Sequence, residues 1–177
     1  MEITHEKACH CALNRIFGFE PKIGLALISH LGSASEVFRL GTEKINTLIG
    51  PFSKYRDRIN ASAFDQAAKE LEQLENQGIH FCGITESQYP SMLKECEDPP
   101  VGLYIRSSTP VHELWKDHSI GIVGTRDISP YGKEWCQKIV KNLSMTGQKP
   151  SIISGLALGV DITAHRTALE NGLPTIA

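Results

Sequence analysis

Two consecutive strand-loop-helix units occupy residues 119–177, and they constrain the fold more than any other feature. The first unit reads S-I-G-I-V-G-T-R-D-I-S-P-Y-G and the second S-I-I-S-G-L-A-L-G-V-D-I-T-A-H, each with a glycine turn between an apolar strand and a helix. Parallel strands place such loops at one edge of a sheet, where helix N-termini present unpaired N–H groups. The pattern therefore predicts an anion site that suits a phosphate.

The remainder of the chain predicts a helical domain followed by the start of an α/β domain. Residues 1–78 have helical periodicity interrupted by glycines and prolines, and a last helix is expected over about residues 53–77. Residues 79–177 are assigned to the α/β domain because I-H-F-C-G-I and V-G-L-Y-I-R are typical of strands. The predicted fold class is α/β, with a small all-helical domain before a partial, mostly parallel, three-layer sheet.

Three finer expectations concern the last third of the chain. The helix after Tyr131 is expected to turn Trp135, Ile139 and Leu143 inward, since these residues are spaced by four. The segment P-T-I-A is expected to open a third strand. A sheet of three such strands has an unfinished core, so we expect the chain to be a fragment of a longer domain.

Composition excludes several classes of function. The chain has 177 residues and a formal net charge of -2, so binding of nucleic acid requires a local basic patch. Five scattered cysteines argue against a secreted disulfide framework and favour a reducing compartment. The sequence lacks both a signal-peptide pattern and an apolar run long enough to cross a membrane, so the cytoplasm is expected and a membrane role is not.

The first glycine turn supplies Gly124, Thr125 and Arg126 as candidate phosphate-binding residues. Glycine permits close approach of the backbone, threonine offers a hydroxyl, and arginine can bind phosphate oxygens in a bidentate manner. The alternative is a surface arginine that merely follows a tight turn.

The second turn adds Ser154, Gly155, Leu156 and Gly159 to the candidate site. Its sequence, S-G-L-A-L-G, matches neither G-x-G-x-x-G nor the P-loop pattern, so no dinucleotide or triphosphate cofactor is expected. Its glycines could also be purely structural.

Asp161 and His165 are weaker candidates, four residues apart on one face of a helix. A general-base role is possible, but no second carboxylate or nucleophile is spaced to join them. The favoured interpretation is an acid in the first helical turn beside a buried, hydrogen-bonded histidine.

Two patterns in the helical region also suggest ligands. His5, Cys9, His10 and Cys11 contain zinc-ligand side chains, but C-x-C without a second pair favours half-buried cysteines, and no metal is expected. Residues 27–56 resemble a helix-hairpin-helix module, in which a glycine hairpin meets nucleic-acid phosphate, and Lys54 and Arg56 would then assist. A solvated helix start explains these two cations equally well.

These motifs together resemble the DNA-processing protein A family (DprA, also called Smf). The resemblance rests on Y-P-S-M-L, D-P-P-V-G-L-Y, I-V-G-T-R, Y-G and S-G-L-A-L-G-V-D-I-T-A-H-R-T-A-L, in family order from Tyr89 onward. It implies a sterile-alpha-motif-like or helix-hairpin-helix domain, then the first half of an extended Rossmann-like domain. It also implies a non-enzymatic protein that binds single-stranded DNA, loads RecA on incoming DNA in natural transformation, and forms a homodimer when complete.

The chain departs from the family pattern at Leu158, where the second loop often holds a basic residue. Arg126 would then carry more of the phosphate contact, and binding should be weaker and less sensitive to salt. An enzymatic alternative is a nucleotide hydrolase of the lysine-decarboxylase-like Rossmann type. Its hallmark P-G-G-x-G-T-x-x-E is not found in this sequence.

Overall fold

A computed structural model describes residues 4–115 and 118–177, and its contacts divide the chain into two units, Met1–His112 and Glu113–Ala177. The first unit contains the N-terminal helices and one antiparallel hairpin, and the second contains the parallel strands.

Five helices form the first part of the N-terminal unit. They are α1 (His5–Phe17), α2 (Pro21–Leu31), α3 (Ala34–Arg39), α4 (Thr42–Ile49) and α5 (Ala61–Asn76). Helix α1 packs against α2, α3 and α5, and its residues Leu13 and Phe17 are fully buried. Side chains of Thr4, Ser33 and Asn60 cap α1, α3 and α5 by accepting hydrogen bonds from first-turn amides. No helix in the described part of the chain has the length and apolarity needed to cross a bilayer.

A hairpin completes this unit. Strands β1 (Ile79–Gly83) and β2 (Gly102–Arg106) pair antiparallel, and the short helix α6 (Ser91–Lys94) lies between them in sequence. Strand β1 contacts α1 and α5, and Phe81 is buried in the same cluster as Leu71 of α5. The hairpin therefore groups with the helices by its contacts, whereas its strand pattern predicts that it belongs to the α/β domain. The boundary near residue 78 stays a prediction.

Helix α5 begins eight residues later than the apolar spacing predicts. Residues 53–60 form turns instead, and Asp57 has a left-handed φ of 61°. The Asn46 side chain fixes this turn, because it donates to Asp57 Oδ1 at 2.7 Å and accepts from the Asp57 amide at 3.0 Å. The expectation was wrong because a contact with α4 replaces the first two turns of the expected helix.

The second unit is a three-stranded parallel sheet with two crossover helices. Its elements are β3 (Ser119–Gly121), α7 (Pro130–Ser144), β4 (Ser151–Ile153), α8 (Val160–Glu170) and β5 (Thr175–Ile176). The strand order is β3-β4-β5, and Ile152 of β4 is fully buried between its neighbours. Strand β5 confirms that P-T-I-A opens a third strand.

The inward face of α7 differs from the prediction at Trp135 and Ile139, whereas Leu143 is partly buried and packs against the core of the unit as expected. Cys136 and Val140 are buried in a cluster with Ala164 and Ala168 of α8, whereas Trp135 is 47% and Ile139 52% exposed. The two rows are adjacent on the helix and have the same four-residue spacing, so periodicity alone did not separate them. The smaller side chains face inward, where they allow α7 and α8 to pack closely.

Both helices lie on one face of the sheet, since their side chains meet in a single cluster around Ile152. Sequential strand order with right-handed crossovers produces this arrangement. The described residues of this unit therefore provide two of the three layers that are expected from the sequence.

Candidate nucleic-acid interface

The two glycine turns of the second unit emerge at the same edge of the sheet. Strands β3 and β4 run parallel, with Ile120 paired to Ile152, so both turns follow the carboxyl ends of their strands. We call residues 122–129 and 154–159 the paired loops. The predicted convergence of these turns is thus present in the backbone.

Direct contacts join the paired loops. The Val160 amide donates to the Thr125 carbonyl oxygen at 3.1 Å. A Cβ added at Gly159 would clash with that oxygen and lie 2.6 Å from the Arg126 carbonyl oxygen. A Cβ added at Gly124 would lie 2.5 Å from Val160 Cγ2. Both glycines are therefore required by the close approach of the two loops, and Gly159 also has a φ of 84°.

Ser154 joins the loops from beneath. Its hydroxyl donates to the Ile122 carbonyl oxygen at 2.6 Å, and the Ile122 amide donates to the Ile153 carbonyl oxygen at 2.9 Å. The Ser154 side chain is buried, and its only hydroxyl hydrogen is used in this bond. Its main contribution is therefore to hold the loops together, and its role as a phosphate ligand stays a prediction.

The rim of the paired loops exposes Thr125 and Arg126. The Thr125 hydroxyl donates to the Asp127 carbonyl oxygen at 3.2 Å and accepts from the Asp127 amide at 3.1 Å, which shapes the turn. Arg126 is exposed and makes neither an ion pair nor a side-chain hydrogen bond with the residues that the structure describes. Its guanidinium is therefore available to an external anion.

Several amides in the paired loops are also available. Within residues 4–115 and 118–177, no acceptor is found for the amides of Gly124, Thr125, Arg126, Gly155, Leu156 and Leu158. Leu156 has a left-handed φ of 57°, and its side chain is exposed like that of Leu158. Unpaired amides beside the N-terminus of α8 can bind an anion, since the helix dipole adds partial positive charge.

Asp161 and His165 lie beneath this surface. Asp161 is buried, and its Oδ2 accepts a long hydrogen bond of 3.4 Å from the Ala157 amide, which supports the second loop. His165 Nδ1 is 2.6 Å from Thr175 Oγ1, which itself donates to the Ile152 carbonyl oxygen at 2.9 Å. The histidine therefore donates from Nδ1 and ties α8 to β5. Their burial favours a structural role for both residues.

The two candidate cations of the helical unit, Lys54 and Arg56, have partners within that unit. Lys54 donates to Glu20 at 2.5 Å, and the hydrogen bonds from Lys54 and Tyr55 lower the pKa of Glu20. Arg56 donates to the carbonyl oxygens of Asn46 at 3.2 Å and Gly50 at 3.4 Å. A nucleic-acid contact for Lys54 or Arg56 would have to compete with these partners.

The candidate zinc ligands have other surroundings. Cys9 and Cys11 are buried, and burial raises the pKa of Cys9 to about 12 and that of Cys11 to about 11. The His5 ring packs against the Phe64 ring with 4.7 Å between the ring centroids, and His10 Nδ1 is 3.0 Å from the Glu6 carbonyl oxygen. A cysteine binds zinc as the thiolate, so thiols with raised pKa values are poorly prepared to bind the metal.

Two residues near the site were not singled out as ligands or supports from the sequence. Val160 fills the space against Gly124 and donates to Thr125, and Tyr131 stands exposed in the first turn of α7. Only the position of Tyr131 directly after the first loop could have indicated it.

The fold and the paired loops define the class of protein: an α/β protein with a helical N-terminal unit and two adjoining glycine loops at the carboxyl edge of a parallel sheet. The family model described as DNA recombination-mediator protein A matches residues 80–177, more than half of the chain. The chain therefore belongs to the DNA recombination-mediator protein A family, as the resemblance predicted.

Similar proteins carry related names. The chain is 33% identical to the DNA processing protein DprA of Bacillus subtilis over 123 residues, which cover 65% of this chain and 40% of that protein. It is 36% identical to DprA of Streptococcus pneumoniae over 94 residues, covering 53% of this chain and 31% of that protein. It is 33% identical to the protein Smf of Escherichia coli over 115 residues, which cover 58% of this chain and 29% of that protein. The chain thus spans two fifths or less of the length of these curated relatives.

One solved structure supports the fold directly. The X-ray structure of DNA processing protein A (DprA) from Streptococcus pneumoniae matches 100% of this chain and 58% of that chain, with a TM-score of 0.66 and 23% sequence identity. This similarity confirms the predicted fold class.

Proposed function

We propose that this chain binds single-stranded DNA by its sugar-phosphate backbone at the paired loops. The proposed ligands are the backbone of Gly124, Thr125, Gly155 and Leu156 and the guanidinium of Arg126, with Gly159 and Ser154 holding the loops in contact.

One observation carries this proposal. The two loops touch through Val160 and Gly159, so their unpaired amides and Arg126 belong to one continuous surface. Amides without an acceptor in the described part of the chain that lie beside a helix N-terminus, together with an exposed arginine, suit successive phosphates better than a neutral ligand. Such contacts read the backbone and leave the bases unread, so binding should tolerate any sequence.

The proposed role requires no catalysis. Asp161 and His165 are the acid and base candidates that the sequence indicates, and both are buried in contacts that support the fold. A general base has to reach the proton that it abstracts, and burial removes both groups from an external substrate. We therefore favour a binding protein over a nucleotide hydrolase.

The family supplies the wider proposal. We propose that the protein to which these residues belong acts as a recombination mediator that loads RecA on incoming single-stranded DNA in natural transformation, in the cytoplasm and as a homodimer. The family description and the names of the relatives support a role in DNA processing. All five cysteines are free, as a reducing compartment would require.

A gel-shift assay with oligothymidylate tests the DNA-binding proposal. Arg126→Gln should weaken binding by about tenfold or more, because it removes a charge-assisted hydrogen bond to phosphate. Lys149→Gln is the matched control, since it removes one positive charge from the segment that enters β4 at the opposite edge of the sheet. Equal retention of the Arg126→Gln variant and the parent chain would overturn the proposal.

A further inference from the structure

Helix α7 exposes a row of large apolar side chains on three successive turns. Tyr131, Trp135 and Ile139 lie on this row, while the adjacent row of Cys136 and Val140 forms the core of the unit. Core packing within the unit therefore explains the second row and leaves the first one without a function. A contiguous apolar row at a protein surface commonly marks a binding site.

Tyr131 is the member of this row that lies nearest to the paired loops in the fold. Helix α7 begins at Pro130, directly after the first loop, and Ser129 caps it by accepting a hydrogen bond of 3.1 Å from the Gly132 amide. The first turn of a crossover helix lies at the carboxyl edge of the sheet. Tyr131 therefore stands at the same edge as Arg126, whereas Ile139 lies two turns farther along the helix.

The Tyr131 ring is supported on one side and open on the other. Its centroid is 6.1 Å from that of Trp135, with an interplanar angle of 64°, an edge-to-face contact. The residue is 69% exposed, and its hydroxyl finds no hydrogen-bond partner among the residues that the structure describes. Because Trp135 restrains the ring, less conformational entropy would be lost when a flat ligand stacks on it.

The charges of α7 indicate what kind of ligand fits this row. The helix contains Lys133, Lys138 and Lys141 against the single acid Glu134. Lys138 lies 5.3 Å from the centre of the Trp135 ring while it pairs with Glu134 at 2.7 Å. Aromatic rings beside cations complement a single strand of nucleic acid, in which flat bases alternate with phosphates. A purely apolar protein partner would not be matched by these lysines.

We propose that Tyr131 stacks on a base of the single strand whose phosphates lie on the paired loops. This inference rests on the proposed function and adds a base contact to it. The bases of a duplex are already stacked on one another, so a ring at this position selects single-stranded over double-stranded DNA. Stacking is tolerant of sequence, because every base has a π-face.

Two oligonucleotides of equal length separate stacking from phosphate binding: oligothymidylate, and an abasic strand that keeps every phosphate but has no bases. Tyr131→Ala should weaken binding of oligothymidylate by about fivefold or more and that of the abasic strand by less than about twofold. Tyr131→Phe keeps the ring and should bind both strands like the parent chain. Ile139→Ala, on the same exposed row but away from the loops, is the matched control and should also leave both affinities unchanged.

The Arg126→Gln variant separates the phosphate-binding proposal from the stacking proposal, since it should weaken the binding of both strands equally. Normal binding of oligothymidylate by Tyr131→Ala, while Arg126→Gln weakens both strands, would overturn the stacking inference alone. The stacking inference would also be overturned if Tyr131→Ala lowered the affinity for both strands equally, because that result would indicate a change in the structure of the paired loops. If Tyr131→Ala and Ile139→Ala changed the sedimentation coefficient of the chain and left its affinity for DNA unchanged, the exposed row would be part of a protein interface instead. If Arg126→Gln bound both strands like the parent chain, the proposed phosphate site itself would be contradicted.

Discussion

The Thr125 carbonyl oxygen accepts a hydrogen bond of 3.1 Å from the Val160 amide, which joins the turn after β3 to the first residue of α8. Two loops that are separated by a whole helix in sequence thereby form one surface. This contact and the absence of a side chain at Gly159 allow the first loop to lie against the second.

Gly159→Ala should destabilise the second unit by about 2–4 kcal/mol. The added Cβ would clash with the Thr125 carbonyl oxygen, and the backbone has a φ of 84°, which alanine adopts only with strain. Urea unfolding followed by tryptophan fluorescence measures this unit, because the two tryptophans of the chain, Trp115 and Trp135, both lie within it.

Gly147→Ala is the matched control for that experiment. A Cβ at Gly147 would meet no atom within 4 Å, and its φ lies outside the left-handed range. The control should unfold like the parent chain. Equal stability of the two alanine variants would contradict the close packing of the paired loops.

Leu158→Lys should strengthen DNA binding and make it more sensitive to salt. Leu158 is 74% exposed on the second loop, so a lysine there can reach a phosphate without displacing core atoms. Each additional phosphate neutralised on a single strand steepens the slope of log K against log salt by about 0.7. A salt titration with oligothymidylate measures this slope.

Leu169→Lys provides the comparison, since Leu169 is similarly exposed, at 68%, but lies in the last turn of α8, at the opposite edge of the sheet. It adds the same charge away from the loops. If both lysine variants changed the slope equally, the effect would reflect net charge and the position of Leu158 in the site would be disproved.

Glu6 should make the helical unit sensitive to acid. Burial alone would raise its pKa, but hydrogen bonds from Ser35 and from the Ala34 amide outweigh burial and lower the pKa below its usual value. Its carboxylate accepts from the Ala34 and Ser35 amides at 2.8 Å each, at the N-terminus of α3. A depressed pKa in the folded state stabilises the protein above the ordinary pKa of about 4.3 and loses that effect as pH falls through the folded value.

Glu6→Gln should therefore lower the free energy of unfolding at neutral pH by about 1 kcal/mol, a figure reduced for the partial exposure of the side chain. The difference from the parent chain should shrink as pH falls below about 4. Urea unfolding monitored by far-ultraviolet circular dichroism at several pH values tests this. Glu72→Gln, on the exposed face of α5, is the control, and an identical pH profile for both variants would refute the role of Glu6.

The sequence was sufficient to predict the parallel unit, because glycine turns between apolar runs and helical periodicity are local signals. The convergence of the turns after Gly121 and Ile153 followed from the parallel topology. The burial of Trp135 could not be decided in this way, because its row and that of Cys136 have the same spacing. Which row of α7 is buried depends on how closely the small side chains of Ala164 and Ala168 allow α8 to approach α7.

Other features depended on partners that are distant in sequence. The start of α5 was misplaced because the Asn46 side chain holds Asp57 in a turn. The hydroxyl of Ser154 is committed to the Ile122 carbonyl oxygen, which only the pairing of β3 with β4 reveals. Neither contact leaves a signature in the local sequence.

The most direct test of the central claim is to follow amide chemical shifts by heteronuclear NMR while oligothymidylate is added. We expect the largest changes on both paired loops together, at Gly124, Thr125 and Arg126 and at Gly155 and Leu156. Changes that are confined to the helical unit, around Gly50 and Lys54, with both paired loops unaffected, would contradict it.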